Sequence, residues 1–590
     1  MSLAVHYRVA MPRPHAHLFE VEASFPAGTD FLDAVMPVWT PGSYLVREYA
    51  RQVQDVTAQG PDGQPLPVRR VDKRTWRVDA RGQAVTLRYR VYANELSVRT
   101  SHLDGSHAYF NGATVFLYTE ATRTLPHHVT VDAPEGWRTF CALDSEGATF
   151  HAPDYDTLVD SPFEVGPHTP LTFTAAGVPH EVVVWGDSVP DADRLCADMQ
   201  RICEAQARMY GGLPLKRYLF LVYLTDKGRG GLEHQASTAL LFPRTGLSSL
   251  RGWEDFLTLV AHEYFHLWNI KRVKPRALVP FDYSQENYTT LLWAFEGGTA
   301  YYDNLFVRRA GLMSPTRYLA RLGETFSLLH STPGRRVQSL TEASLVSWVK
   351  HYRPDEHSTN SAISYYLKGE VVSALLDLEL RRATGDAKCL DDVMRLLWQR
   401  HGDGSGVPED GVEQAASEVA GVDLTPFFDR TVRSTEDLDY GVFAHVGLEV
   451  SFRVREAPND KGGTPPRLKG EPKPKGWLGV TLRGSSTLST VPEGTPALDA
   501  GLYPEDDVVA LDGWRVDGAG LIARCEDKRP GDTVRVTLFR RDRLLEVPVV
   551  LGQKPADAAW LQRVERPTDA QKAAFQAWLG SPWDETPGPA

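Results

Sequence analysis

Between Asp255 and Val273 the chain reads DFLTLVAHEYFHLWNIKRV, and this segment limits the possible architectures more than any other. The run Phe256 to Ala261 is apolar enough to lie inside a protein, and its spacing is that of a buried helix. On a helix, positions i and i+4 share a face, so His262 and His266 can reach one ion while Glu263 stands beside it. Two imidazoles and a carboxylate carried on an apolar helix require a packed core around them. The chain supplies one: 590 residues with 42% hydrophobic, 24% charged and 10% aromatic side chains. At roughly 150 residues per domain this length implies three or four compact units. Disorder, fibre and coiled coil are excluded as descriptions of the whole.

The net charge of −12 comes without basic blocks that track phosphates, which argues against nucleic acid as a partner. Five scattered cysteines without CxxC spacing fit a reducing compartment. The start MSLAVHYRVAMPRPHAHLFEVEASF alternates like a strand and lacks the basic and apolar regions of an export signal. No run reaches the 18 or so apolar residues that a membrane span needs. These features predict a cytoplasmic protein with no membrane partner.

Residues 1–175 are short β-branched and aromatic runs broken by Gly, Pro and Asp, including TLRYRVYA (86–93), TVFLYTE (114–120) and HHVTVDAP (127–134). They predict an N-terminal β-sandwich. HEVVVWG (180–186) continues the same strand-like rhythm; within residues 176–455 the chain then turns helical in DADRLCADMQRICEAQARMYGG, returns to a strand in RYLFLVYLT, and carries several helices. This is the expected catalytic domain, mainly α. Residues 456–475, EAPNDKGGTPPRLKGEPKPK, read as a linker. Residues 476–555 predict a small β domain, and 556–590 one amphipathic helix with a frayed tail. The fold class is thus multidomain α+β.

A catalytic zinc needs a third protein ligand and one position left for water. Glu296, in LLWAFEGGTAYYDNL, is the candidate, because a carboxylate among Leu291, Leu292, Trp293, Phe295, Tyr301 and Tyr302 is costly to bury unless it binds a cation. HEYFHLWNIKRVKP followed by LLWAFEGGTAYY resembles the glycyl aminopeptidase family, zinc metallopeptidases of the gluzincin clan that usually carry a PDZ domain. PVWTPGSYLVREYARQV, VYANELSVRTSHLDGSHAYFNG and the tail AAFQAWLG extend the likeness to nearly the whole chain.

That resemblance implies a thermolysin-like catalytic domain holding one zinc per chain on His262, His266 and Glu296, with Glu263 as general base. Gly231-Leu232-Glu233-His234 resembles the exopeptidase loop, where Glu233 would bind a substrate's α-amino group and Gly231 would line the same subsite. Tyr366, in SYYLKGEVVSALLDLELR, matches the Tyr-x-Lys-Gly element whose hydroxyl donates to the oxyanion; Tyr365 is the competing assignment. Gly476-Trp477-Leu478-Gly479-Val480 resembles a PDZ carboxylate-binding loop, open to a C-terminal peptide. The expected activity is removal of a small N-terminal residue, Gly or Ala, from peptides with a free N-terminus. A zinc endopeptidase and an inactive peptide-binding scaffold are the alternatives.

Overall fold

The computed structural model describes residues 3–186, 191–467 and 474–585. The chain forms two compact units: Met1–Tyr288 with Tyr302–Leu312 and Arg395–Pro408, and Thr289–Tyr301 with Met313–Met394 and Glu409–Ala590.

The first unit begins with an eight-stranded sheet whose centre is Val5–Ala10 between Leu18–Phe25 and His127–Asp132. Along Val5–Ala10, Val5, Tyr7 and Val9 are buried while His6 and Arg8 are exposed, the period-2 pattern of a sheet with one wet face. A four-stranded and a three-stranded sheet complete this β-rich region. The strand expected over 114–120 is not there. Gly112–Val115 is one helical turn, and the chain then continues without regular structure to Tyr118 apart from an isolated bridge to Val35. Three buried tyrosine hydroxyls explain the change, because they donate to backbone carbonyls in this segment: Tyr7 to Leu117 (2.8 Å), Tyr89 to Val115 (2.9 Å) and Tyr155 to Phe116 (2.7 Å). Side chains from the flanking structure have taken the place of a partner strand.

A five-stranded sheet follows, in the order Leu171–Ala175, Val178–Trp185, Tyr218–Thr225, Ser237–Pro243, Gly230–Glu233. Tyr218–Thr225 is parallel to both neighbours and buried at all eight positions, which is why its sequence is apolar without alternation. Gly230–Glu233 is an antiparallel edge strand. The helix Ala192–Tyr210 is capped by the Asp191 carboxylate, which accepts from Arg194 N (2.9 Å), and ends on Gly211 at φ 81°. It also places the motif helix Leu250–Phe265. Gln206 Nε2 donates to Ala261 O (2.8 Å), and Trp253 Nε1 donates to Asp198 Oδ2 (2.9 Å).

The second unit is helical up to Val446 and mainly β beyond it. Its helices include Pro315–His330, Tyr365–Thr384 and Gly411–Ala420. Leu448–Arg453 pairs with Ala558–Arg563, and between them lies a module with a six-stranded sheet and the helix Gly518–Glu526. Of the expected linker, 456–467 is held down: Asp460 receives Arg453 Nη1 (2.5 Å), and Gly463 N donates to Ala559 O (2.7 Å). Residues 468–473 lie outside the described residues. The helix Asp569–Leu579 starts with a capping box between Thr568 and Gln571. No described helix is long and apolar enough to cross a membrane.

Candidate metal centre

The first unit carries His262, Glu263, His266, Glu233 and Gly231, and the second carries Glu296, Tyr365 and Tyr366. In the first, the motif helix ends at Phe265 and His266 is its C-cap, still with helical dihedrals (φ −60°). The i, i+4 relation therefore survives, and the imidazole centroids are 4.8 Å apart. Each ring is oriented through Nδ1. His262 Nδ1 donates to Asp303 Oδ2 (3.2 Å), and His266 Nδ1 donates to the Asn269 carbonyl (2.8 Å). With the proton fixed on Nδ1, the lone pair lies on Nε2, the tautomer a metal-binding histidine uses. Burial pushes the Asp303 carboxyl above the usual range, and His262 draws it back.

The turn that supplies the Asn269 carbonyl is strained. Ile270 adopts φ 97°, a region a β-branched residue enters only when its surroundings force it. Its N–H donates to Val273 O (2.7 Å), and Lys271 N donates to His266 O (3.1 Å). Lys271 Nζ in turn donates to Asp160 Oδ1 (2.5 Å), whose carboxylate also meets His234 Nδ1 (3.1 Å) and Gln235 N (2.8 Å). Burial alone would raise Asp160, but Lys271 and His234 bring it down to about 2.

The segment expected as an exopeptidase loop is instead the edge strand Gly230–Glu233, which lies against the motif helix. A side chain on Gly231 would overlap the Glu263 carboxylate, so glycine is what lets helix and strand approach there. Glu233, Glu263 and His266 are all buried and place ligand atoms within 4.8 Å of one another. Two buried carboxylates this close repel unless a cation or a shared proton lies with them. A positive charge beside the two carboxylates removes that repulsion. Glu233 is 3% exposed and its Oε1 has no hydrogen-bond partner. Gly42, from the β-rich region, closes over it. At φ 85° this residue has to be glycine, and an added Cβ would stand 2.5 and 2.7 Å from the two carboxylate oxygens.

In the second unit Glu296 is 2% exposed and sits in a π-helical turn, Trp293–Gly297, a form common at functional sites. Gly297 and Gly369 let this turn and the helix Tyr365–Thr384 touch at the backbone: a Cβ on Gly297 would lie 2.5 Å from Gly369 Cα. Two glycines of the quoted motifs thereby set the turn that carries Glu296 against the start of the helix that carries the two tyrosines. Tyr365 is fully buried and Tyr366 partly exposed; their rings stack at 4.6 Å. Tyr352 links both hydroxyls (3.2 and 3.1 Å), and His351 lies against both rings. Burial, and then the Glu296 charge, push the Tyr366 hydroxyl well above its ordinary pKa, so it stays a donor.

Asp303, Asn269, Gly42, Tyr352 and His351 were not read from the sequence. Only Asp303 had a local signal, since it follows Glu296 by seven residues, two helical turns, in GGTAYYDN.

An apolar helix presenting two Nε2 lone pairs, with a carboxylate between them in sequence and two more buried acids in the chain, is the arrangement of a metallopeptidase. Comparison with known proteins agrees. The model of the peptidase M61 N-terminal domain matches residues 6–167, and that of the M61 glycyl aminopeptidase matches 255–372. A crystal structure of an aminopeptidase N family protein from Idiomarina loihiensis is 32% identical, with a TM-score of 0.92 over 98% of this chain and 100% of its own. The chain belongs to the M61 glycyl aminopeptidase family. An M1 zinc metallopeptidase from Deinococcus radiodurans aligns over 74% of this chain and 95% of its own at 13% identity and a TM-score of 0.46, a likeness too slight to assign anything. No curated protein matches.

Proposed function

We propose that the protein is a zinc aminopeptidase in which His262, His266 and Glu296 hold one zinc ion. The tautomers of the two histidines support this, as does the continuity of the helical run from Glu296 to Asp303, the residue that orients His262. Zinc in such a site polarises a peptide carbonyl and acidifies water. Glu263, held against the edge strand, takes the proton of the attacking water and returns it to the leaving amine. Tyr366 donates its hydroxyl to the carbonyl oxygen as charge develops there. Glu233 pairs with the substrate's α-ammonium.

The observation that carries the aminopeptidase reading is Glu233: a buried carboxylate with an unpartnered oxygen, closed on one side by Gly42. An ammonium satisfies that oxygen. A peptide continuing past it meets the Gly42 backbone, which disfavours the endopeptidase reading. Preference for a small first residue, Gly or Ala, follows from the family likeness. Partners are peptides with a free N-terminus. The 476–555 module is proposed as PDZ-like, with Thr481–Arg483, an edge strand, open to a C-terminal peptide by strand addition.

The test is hydrolysis of glycyl and alanyl anilides against their N-acetylated counterparts. Wild type should require the free amine. Glu233→Ala should lose on the order of 2 to 5 kcal/mol of transition-state stabilisation, with the ratio of free to acetylated activity falling toward one and zinc content unchanged. A variant that kept both its rate and its preference would refute the assignment.

A further inference from the structure

The segment SHLDGSH, residues 101–107, takes no part in the proposed reaction, yet it lies in a buried knot of ionisable side chains within the first unit. Glu164 is 1% exposed and stands on the strand Phe163–Gly166. His107 Nδ1 (3.0 Å) and His168 Nε2 (2.7 Å) both point at its Oε1, while Tyr223 donates to its Oε2 (3.0 Å). His102 Nδ1 meets the remaining nitrogen of His107 at 2.9 Å. No lysine or arginine reaches Glu164 among the described residues. A fully buried carboxylate is therefore left without a permanent cation.

We propose that Glu164, His107 and His168 form a second divalent-metal site of the zinc class, separate from the one on the motif helix. The three side chains offer ligand atoms within 4.8 Å of one another, and His102, Asp104 and His107 form an overlapping group. Two imidazoles and one carboxylate are a zinc donor set, and opening the two N···O contacts by a few tenths of an ångström would seat an ion among them. The surrounding shell is already placed. With His107 Nδ1 on the metal, its Nε2–H donates to His102 Nδ1, and Tyr223 holds the far carboxylate oxygen. Gly166 has no side chain where one would overlap His168 Nε2. The inference does not depend on the proposed activity.

Equilibrium dialysis of metal-free full-length protein against Zn2+, followed by elemental analysis, tests it. Wild type should bind one equivalent more than Glu164→Gln and one more than His168→Asn; equal stoichiometry in all three would overturn the site. Should both variants fail to fold, Trp185 decides, because its ring stacks on His107 at 4.2 Å. Cu2+ should quench wild-type fluorescence more than that of Trp185→Phe, by the share Trp185 contributes. Identical quenching curves would overturn the proposal.

Discussion

Tyr365 and Tyr366 are adjacent, stacked and joined through the same Tyr352 hydroxyl, and Tyr366, whose hydroxyl feels the Glu296 charge, is the one with exposed surface. If Tyr366 stabilises the developing oxyanion, Tyr366→Phe should lower kcat by about 10²- to 10³-fold with KM little changed and metal retained. Tyr365→Phe, whose hydroxyl donates to Tyr352, should cost less than about tenfold. Steady-state kinetics on an alanyl anilide separate the two, and the reverse order would exchange the roles. Residues of this kind are legible from sequence to different depths. That His262 and His266 face one another follows from spacing alone, and the burial of Glu296 follows from its apolar neighbours. Choosing between Tyr365 and Tyr366 needs to know which of them the fold leaves with exposed surface, and Gly42 over Glu233 needs two segments some two hundred residues apart to meet. No local pattern encodes either.

Among the elements, the edge strand Gly230–Glu233 and the motif helix act as a pair, with Gly231 as the point of closest approach to Glu263. Gly231→Ala should push the Glu263 carboxylate aside without touching a histidine. Displacement of a catalytic group by about 1 Å can cost on the order of 10²-fold, so kcat/KM should fall at least that far while bound zinc stays at the wild-type level. Activity close to wild type would show that Glu263 is not held by this contact. The strand also shows why element type was the less legible layer. Gly-Gly-Leu-Glu-His reads as a loop, but Gly230 to Glu233 pair with Leu241 to Thr238 and so complete the sheet. At 114–120 the error ran the other way, because β-branched and aromatic residues bond to tyrosine hydroxyls in place of a neighbouring strand.

At the scale of the whole molecule, contacts distant in sequence carry the frame. Asp160, from the β-rich region, binds His234 and Lys271 beside the site. Its folded pKa of about 2 lies below the ordinary 3.8, so its contribution is complete above about pH 4 and is lost as pH falls toward 2. Urea melts from pH 6 to pH 2 should show wild type ahead of Asp160→Asn by roughly 2 kcal/mol at the upper end, with the gap closing at the lower. A constant gap would mean that Asp160 acts by packing alone. In the second unit, Trp578 Nε1 donates to Tyr301 (3.0 Å), and Tyr301 donates to Asp377 (2.6 Å). Trp578 is 1% exposed, and Trp578→Ala should lower stability by about 3 to 5 kcal/mol in denaturant melts. A loss under 1 kcal/mol would show the ring to be dispensable. Tyr301 lies five residues after Glu296, and its partner Trp578 is 277 positions further along the chain. During translation, the helix following Glu296 leaves the ribosome long before the ring that fastens it. The bond from Trp578 to Tyr301 therefore forms only once nearly the whole chain has been made.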